Sequence, residues 1–270
     1  MLNRIDSKFQ ELRAAGRTGF IVYITSGDPT PDQTVRLALA MESVGVDILE
    51  LGIPFSDPLA DGATIQAAAG RAITGGTNVA AVLEMIRQIR SASQIPIVLF
   101  TYLNPIYIYG YERFLRDAVA AGADGLLVLD LPPEEIVKNS EFVDSKGLLP
   151  IRLIAPTTPP DRMEQIARSA EGFIYYVSRE GVTGEQTSLS QSISSQVAEI
   201  RKHTTLPIAV GFGISTPDHV REVAPQADAV VVGSAIVRKI AEAGDTPDLA
   251  ARISTFVRPL VDAGKNSANG

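Results

Sequence analysis

The chain has 270 residues, a formal net charge of −7 and neither cysteine nor tryptophan. The length suits one large α/β domain or two small ones and is ample to bury a core. The acidic balance argues against nucleic acid or an anionic membrane as main partner, and the missing cysteines exclude disulfides and thiolate metal sites.

Residues up to about Ala15 read as a helix covering one end of the fold. The first β-rich apolar run is "FIVYIT" from Phe20, followed by the amphipathic "DQTVRLALAMESVG". The second run, "ILELG" from Ile48, leads into "GIPFSDPLADG", a loop stiffened by Pro54 and Pro58. "ATIQAAAGRAITGG" then reads as an inserted helix, because the distance to the third run exceeds one helix. "NVAAVLEMIRQIRS", "IPIVLFTY", "ERFLRDAVAAG" and "GLLVLD" follow. The remaining runs are "LPIRLIAP", "FIYYVS", "LPIAVGFG" and "AVVVGSAI", and "KNSANG" reads as a loose tail over about residues 265–270. Gly45, Gly122 and Gly147 fit helix C-caps.

Continuous apolar runs suit parallel strands buried on both faces. Eight strand–helix units without a domain break predict a single (β/α)8 TIM barrel over residues 1–270, with a doubly wound sheet as runner-up. No apolar run approaches the roughly 18 residues of a membrane span, and the first residues lack a signal-peptide pattern. The expected location is the cytoplasm.

A TIM barrel carries its site at the C-terminal ends of its strands. Side chains alternate along a strand, so Leu49 and Leu51 face the helices while Ile48 and Glu50 point inward. Glu50 is then either a core carboxylate paired with an arginine or a general acid–base with a raised pKa. Asp61 suits an N-cap as well as a catalyst. Asp57, beside Pro58, suits a turn, as does Asp130 before the prolines of "LDLPP". "GFGIS" after strand seven and "GSAI" at strand eight stand where such barrels bind phosphate, although plain turn chemistry also explains them. "SREGVTGE" after strand six has the length and composition of a lid. Tyr175 is either a helper in the site or a core tyrosine. None of the six lysines is placed for a Schiff base, both histidines fall in or beside helices, and no zinc ligand set is visible. A phosphorylated small molecule handled by carboxylates remains.

"LELGIPFSDPLADG" closely resembles the signature of the tryptophan synthase α subunit family. "TYLNP" (Thr101 to Pro105), "GVTG", "GFGIS" and "GSAIV" follow in that family's order, so the resemblance covers essentially the whole chain. It implies a lyase that cleaves indole-3-glycerol phosphate to indole and glyceraldehyde 3-phosphate with no cofactor of its own. Carried over residue by residue, it makes Glu50 the general acid–base and Asp61 the partner of the indole N–H. It implies substrate contacts for Tyr23, Tyr102, Tyr175 and Phe212, and phosphate binding by Gly184, Gly213, Gly233 and Ser234. Thr183 belongs to the lid and contacts Asp61. Pro54 and Asp57 meet a partner β subunit, which carries pyridoxal phosphate in an α2β2 assembly. Tyr23 stands where the family often has phenylalanine, Glu180 where a small residue is common, and Arg152 is unusual among apolar neighbours. Two readings compete: a free-standing lyase that releases indole, and a non-catalytic phosphate-binding subunit. A related phosphosugar isomerase is weaker still, given the specific first motif.

Overall fold

The computed structural model describes residues 2–138, 147–178, 189–211 and 213–266. Its elements run α1 (Arg4–Ala14), β1 (Gly19–Thr25), α2 (Pro31–Ser43), β2 (Ile48–Gly52), α3 (Ala63–Thr74), α4 (Val79–Arg90) and β3 (Ile97–Thr101). Next come α5 (Leu103–Tyr109), α6 (Tyr111–Ala121), β4 (Gly125–Val128), α7 (Pro133–Lys138), β5 (Leu149–Pro150), β6 (Arg152–Ile154) and α8 (Pro160–Arg168). The last are β7 (Ile174–Val177), α9 (Leu189–Ile200), β8 (Ile208–Gly211), α10 (Pro217–Val223), β9 (Ala229–Val232), α11 (Ser234–Ala243) and α12 (Leu249–Asn266).

All strand pairs are parallel, in the order β5-β4-β3-β2-β1-β9-β8-β7-β6. The two ends of that order are halves of one predicted strand. Only Ile151 separates β5 from β6, and its N–H donates to the Leu126 carbonyl at 2.9 Å. The sheet therefore closes into the expected barrel, with the fifth strand in two pieces: β5 pairs with β4 and β6 with β7. A barrel has no sheet edge to protect, so strands this short and this apolar are tolerated.

Alternation sorts the side chains. Ile21, Ile48, Val98, Leu127, Ile151, Phe173, Ala209 and Val231 fill the barrel, and Ile5, Phe9 and Leu12 of α1 close its floor. Phe9 and Phe173 meet with ring centroids 5.6 Å apart. Leu49 and Leu51 belong to the outer layer, under the helices. The same parity turns Arg152 outward from Ile151, half-buried, where its Nε donates to the Ser169 carbonyl. Both Gly45 and Gly122 end helices at positive φ, as the capping pattern required; Gly147 also has positive φ, but the residues just before it lie outside the described ones. At the expected tail, α12 continues through Lys265 to Asn266, and residues 267–270 lie outside the described ones. Its amphipathic pattern extends that far, with Leu260, Val261 and Ala263 buried.

The floor also shows how this chain satisfies structural carboxylates. Asp47, Asp124 and Asp228 precede β2, β4 and β9, and each accepts the N–H of a neighbouring strand's residue: Phe20, Ile97 and Ile208 at 2.8–2.9 Å. Asp124 also accepts from Arg90 at 2.6 Å and from Arg4 at 2.9 Å, which ties α1 to the barrel. A buried carboxylate with two or more such donors is an ordinary structural group.

Candidate active site

At the opposite end, Glu50 breaks that rule. It sits in register between Tyr23 of β1 and Val98 of β3, fully buried. Neither carboxylate oxygen has a hydrogen-bond partner among the described residues, so no described arginine pairs with it. Burial in this apolar setting pushes its pKa up to about 8, because the charged form loses its hydration and gains no compensating donor.

Asp61 lies eleven residues downstream on the loop between β2 and α3 and is half-buried. The N-cap of α3 is Gly62, and no side chain caps it. The capping reading of Asp61 therefore falls, and its carboxylate is not spent on the helix end. Desolvation raises its pKa to about 6, opposed by a hydrogen bond from the Tyr102 hydroxyl. That hydroxyl also accepts the Ala60 N–H at 3.0 Å, and the Tyr102 ring packs on Phe55 at 5.4 Å. Tyr102 thus acts first as a clamp on the loop that presents Asp61. Asp130 in turn accepts the Leu103 N–H at 2.7 Å, which fixes the chain beside Tyr102 at the start of α5.

Tyr23 and Tyr175 complete the inner face. Tyr23 is buried edge-on against Phe100 at 5.1 Å, and both Asp61 and Glu50 act on its hydroxyl electrostatically, so it stands near both. Its added hydroxyl is accommodated by Gly52: a Cβ there would lie 2.1 Å from Tyr23 Oη. Tyr175, on β7, is partly buried, and Glu50 raises its pKa beyond the effect of burial. Tyr175 is therefore neighbour to the acid as well as part of the inner layer.

The glycine motifs of the last two loops stand at one height. Gly211 and Val231 pair in register, and Gly213 and Gly233 each lie two residues further on. Gly213 has φ +67°, a left-handed conformation that favours glycine. Gly233 is the N-cap of α11 with no side-chain cap, and Ser234 opens that helix, exposed. The N–H groups of Ser234 and Ala235 belong to the first turn, where a helix offers no internal acceptor. That end is suited to an anion. Thr183, Gly184, Arg179, Glu180 and Phe212 lie outside the described residues.

On the rim, Pro54 is buried whereas Asp57 is exposed. Near it, Leu59 is 93% exposed, and on α5 Tyr107 and Ile108 are 63% and 76% exposed. One feature of this end escaped sequence reasoning: buried Asp28, after β1, forms a two-pronged ion pair with Arg71 of α3, both contacts 2.8 Å. The only signal was an aspartate beside Pro29 at a strand top.

The family model described as tryptophan synthase alpha chain matches residues 9–264. The tryptophan synthase alpha chain of Geobacter sulfurreducens is 48% identical, over 97% of this chain and 99% of that one. That of Opitutus terrae is 47% identical, over 96% and 98%. Among solved structures, tryptophan synthase subunit alpha from Legionella pneumophila superposes with TM-score 0.89 at 40% identity, over 97% of this chain and 98% of that one. A chain of Mycobacterium tuberculosis tryptophan synthase gives 0.87 at 32% identity, over 98% and 99%. With a closed parallel barrel, an inward glutamate unpaired among the described residues and this full-length likeness together, the chain belongs to the tryptophan synthase alpha chain family, lyases that cleave indole-3-glycerol phosphate.

Proposed function

We propose that Glu50 and Asp61 carry the cleavage between them. The observation that carries this reading is Glu50: fully buried, without a hydrogen-bond partner among the described residues, and with a pKa near working pH. Protonated Glu50 gives its proton to indole C3. The C2–C3 electron pair takes up that proton, and the ring nitrogen acquires positive charge. Ionised Asp61 faces the ring N–H and stabilises that charge. The Glu50 carboxylate then accepts the proton of the side-chain hydroxyl. Its O–H electrons form the aldehyde carbonyl, and the broken C–C bond's electrons restore the indole ring. One proton enters and one leaves, so Glu50 returns to its starting state and the step needs no cofactor in this chain.

Tyr23, Tyr175, Tyr102 and Phe212 surround the indole in this reading. Gly213, Gly233, Ser234 and Gly184 take the phosphate, supported by the left-handed turn at Gly213 and the uncapped start of α11. Thr183 bonds Asp61 when the lid closes. The exposed rim of Asp57, Leu59, Tyr107 and Ile108, next to buried Pro54, suits docking of a β subunit that carries pyridoxal phosphate, in an α2β2 assembly. The whole chain works as one barrel unit, and its place is the cytoplasm; among the described residues no helix is long and apolar enough to cross a membrane. The test is indole formation from indole-3-glycerol phosphate by the isolated chain, with and without a β subunit. Low activity alone and marked stimulation by the partner are expected. Full activity alone, unchanged by any β subunit, would favour the free-standing lyase, and no cleavage in either case would favour a phosphate-binding subunit.

A further inference from the structure

The loop after β1 is stitched to the catalytic strand. Ser26 N–H donates to the Gly52 carbonyl at 2.9 Å, two residues beyond Glu50, and Gly27 N–H donates to Thr34 Oγ1 at 2.9 Å. Asp28 ends this stitched segment, almost wholly buried. Its two oxygens accept Arg71 Nε and Nη2, each at 2.8 Å. Such parallel pairs fix orientation as well as distance.

Arg71 belongs to the inserted helix α3, which packs against β1 and α11. Its fully buried face is Ala68, Ala69 and Ala72, the smallest apolar side chains available. At the other end of α3, Gln66 Nε2 donates to the Asp61 carbonyl at 2.8 Å, so the backbone of Asp61 travels with the helix. Arg71 lies about 12 Å along α3 from its first turn. A tilt of about 10° about the Arg71 end would shift Asp61 by about 2 Å, and misplacing a reacting group by about 1 Å can cost on the order of 10²-fold in rate.

We propose that the Arg71–Asp28 ion pair is a positioning device for the lyase reaction: it docks α3 across the mouth of the barrel and so sets where Asp61 stands. The proposal rests on the roles assigned above to Glu50 and Asp61. Neither Arg71 nor Asp28 takes part in proton transfer; both act through Asp61.

The experiment compares the full chain with Arg71→Ala, Asp28→Asn and Arg71→Lys, each assayed alone and with saturating β subunit. Backbone amide exchange of α3 and circular dichroism are measured in parallel. Arg71→Ala and Asp28→Asn should lower kcat by about 10- to 100-fold with KM changed less than about threefold. Exchange in α3 should accelerate at least about tenfold while the strands stay protected. Arg71→Lys should restore part of kcat, since one ammonium can engage the carboxylate without the fixed fork. Unchanged kcat in Arg71→Ala and Asp28→Asn overturns the proposal. So does a loss of kcat that only follows the loss of folded protein, or one with α3 exchange as in the parent chain. Should the parent chain itself fail to cleave the substrate, the assigned activity falls, while the exchange of α3 still decides whether the ion pair docks it.

Discussion

Replacing Glu50 by glutamine tests the central argument twice, once in stability and once in turnover. The folded-state pKa of Glu50 is raised from 4.5 to about 8. Between those values the folded chain holds a proton that the unfolded chain has released. Folding therefore loses stability as pH rises through the window, and the loss is complete above the folded pKa. At about 1.4 kcal/mol per unit, the full effect is about 5 kcal/mol, an upper figure for a site with no relaxation or water entry. Glutamine keeps the shape and cannot titrate. Urea unfolding of the parent chain and of Glu50→Gln at about pH 5 and about pH 9 isolates the difference, because other groups cancel. The variant should gain on the parent by several kcal/mol between the two pH values, whatever constant offset its amide brings. Its turnover should fall by at least about 10²-fold with substrate affinity largely kept, since the proposed proton carrier is gone. A stability difference that changes by less than about 1 kcal/mol across that range would refute the claim that Glu50 is buried without compensation.

The proposed mechanism uses Asp61 ionised and Glu50 protonated, so kcat/KM should be bell-shaped, with an acid limb near the Asp61 value of about 6 and an alkaline limb near the Glu50 value of about 8; a profile flat across those limbs would contradict the assignment. Gly213→Val should weaken substrate and inorganic phosphate together, because φ +67° strains any side chain there by about 1–2 kcal/mol and shifts the loop; equal phosphate affinity by calorimetry would remove Gly213 from the phosphate site. Gly52→Ala places a methyl against the Tyr23 hydroxyl, so it should cost about 1–3 kcal/mol of stability and reduce kcat/KM by moving the ring; parental melting and kinetics would show that Tyr23 yields freely. Asp57→Ala should reduce stimulation by the β subunit while leaving the isolated chain's activity nearly unchanged, read from indole formation across a titration of the partner.

The sequence by itself determined the strands, their order as parallel units, the closing helix at the floor and the inserted helix after β2. Those follow from local periodicity: "ILELG" can place Glu50 inward only because adjacent side chains alternate, and Leu49 and Leu51 were committed to the helix layer by the same rule. Closure through the broken fifth strand was not legible, because Leu149–Pro150 and Arg152–Ile154 read as one run and divide only when β4 and β7 claim separate halves. The role of Asp61 was equally closed to inspection. Its residue type and position before a helix fit a cap, and only the folded chain shows Gly62 at the cap and the Tyr102 hydroxyl on the carboxylate. Asp28 and Arg71 stand 43 residues apart, and nothing in the spacing of either announces the other. Whether a carboxylate is structural or reactive depends on which donors reach it. At the floor strand N–H groups and arginines reach Asp124, whereas among the described residues Glu50 has none. Donors are brought into reach by tertiary closure, so that distinction is written in three dimensions and not along the chain.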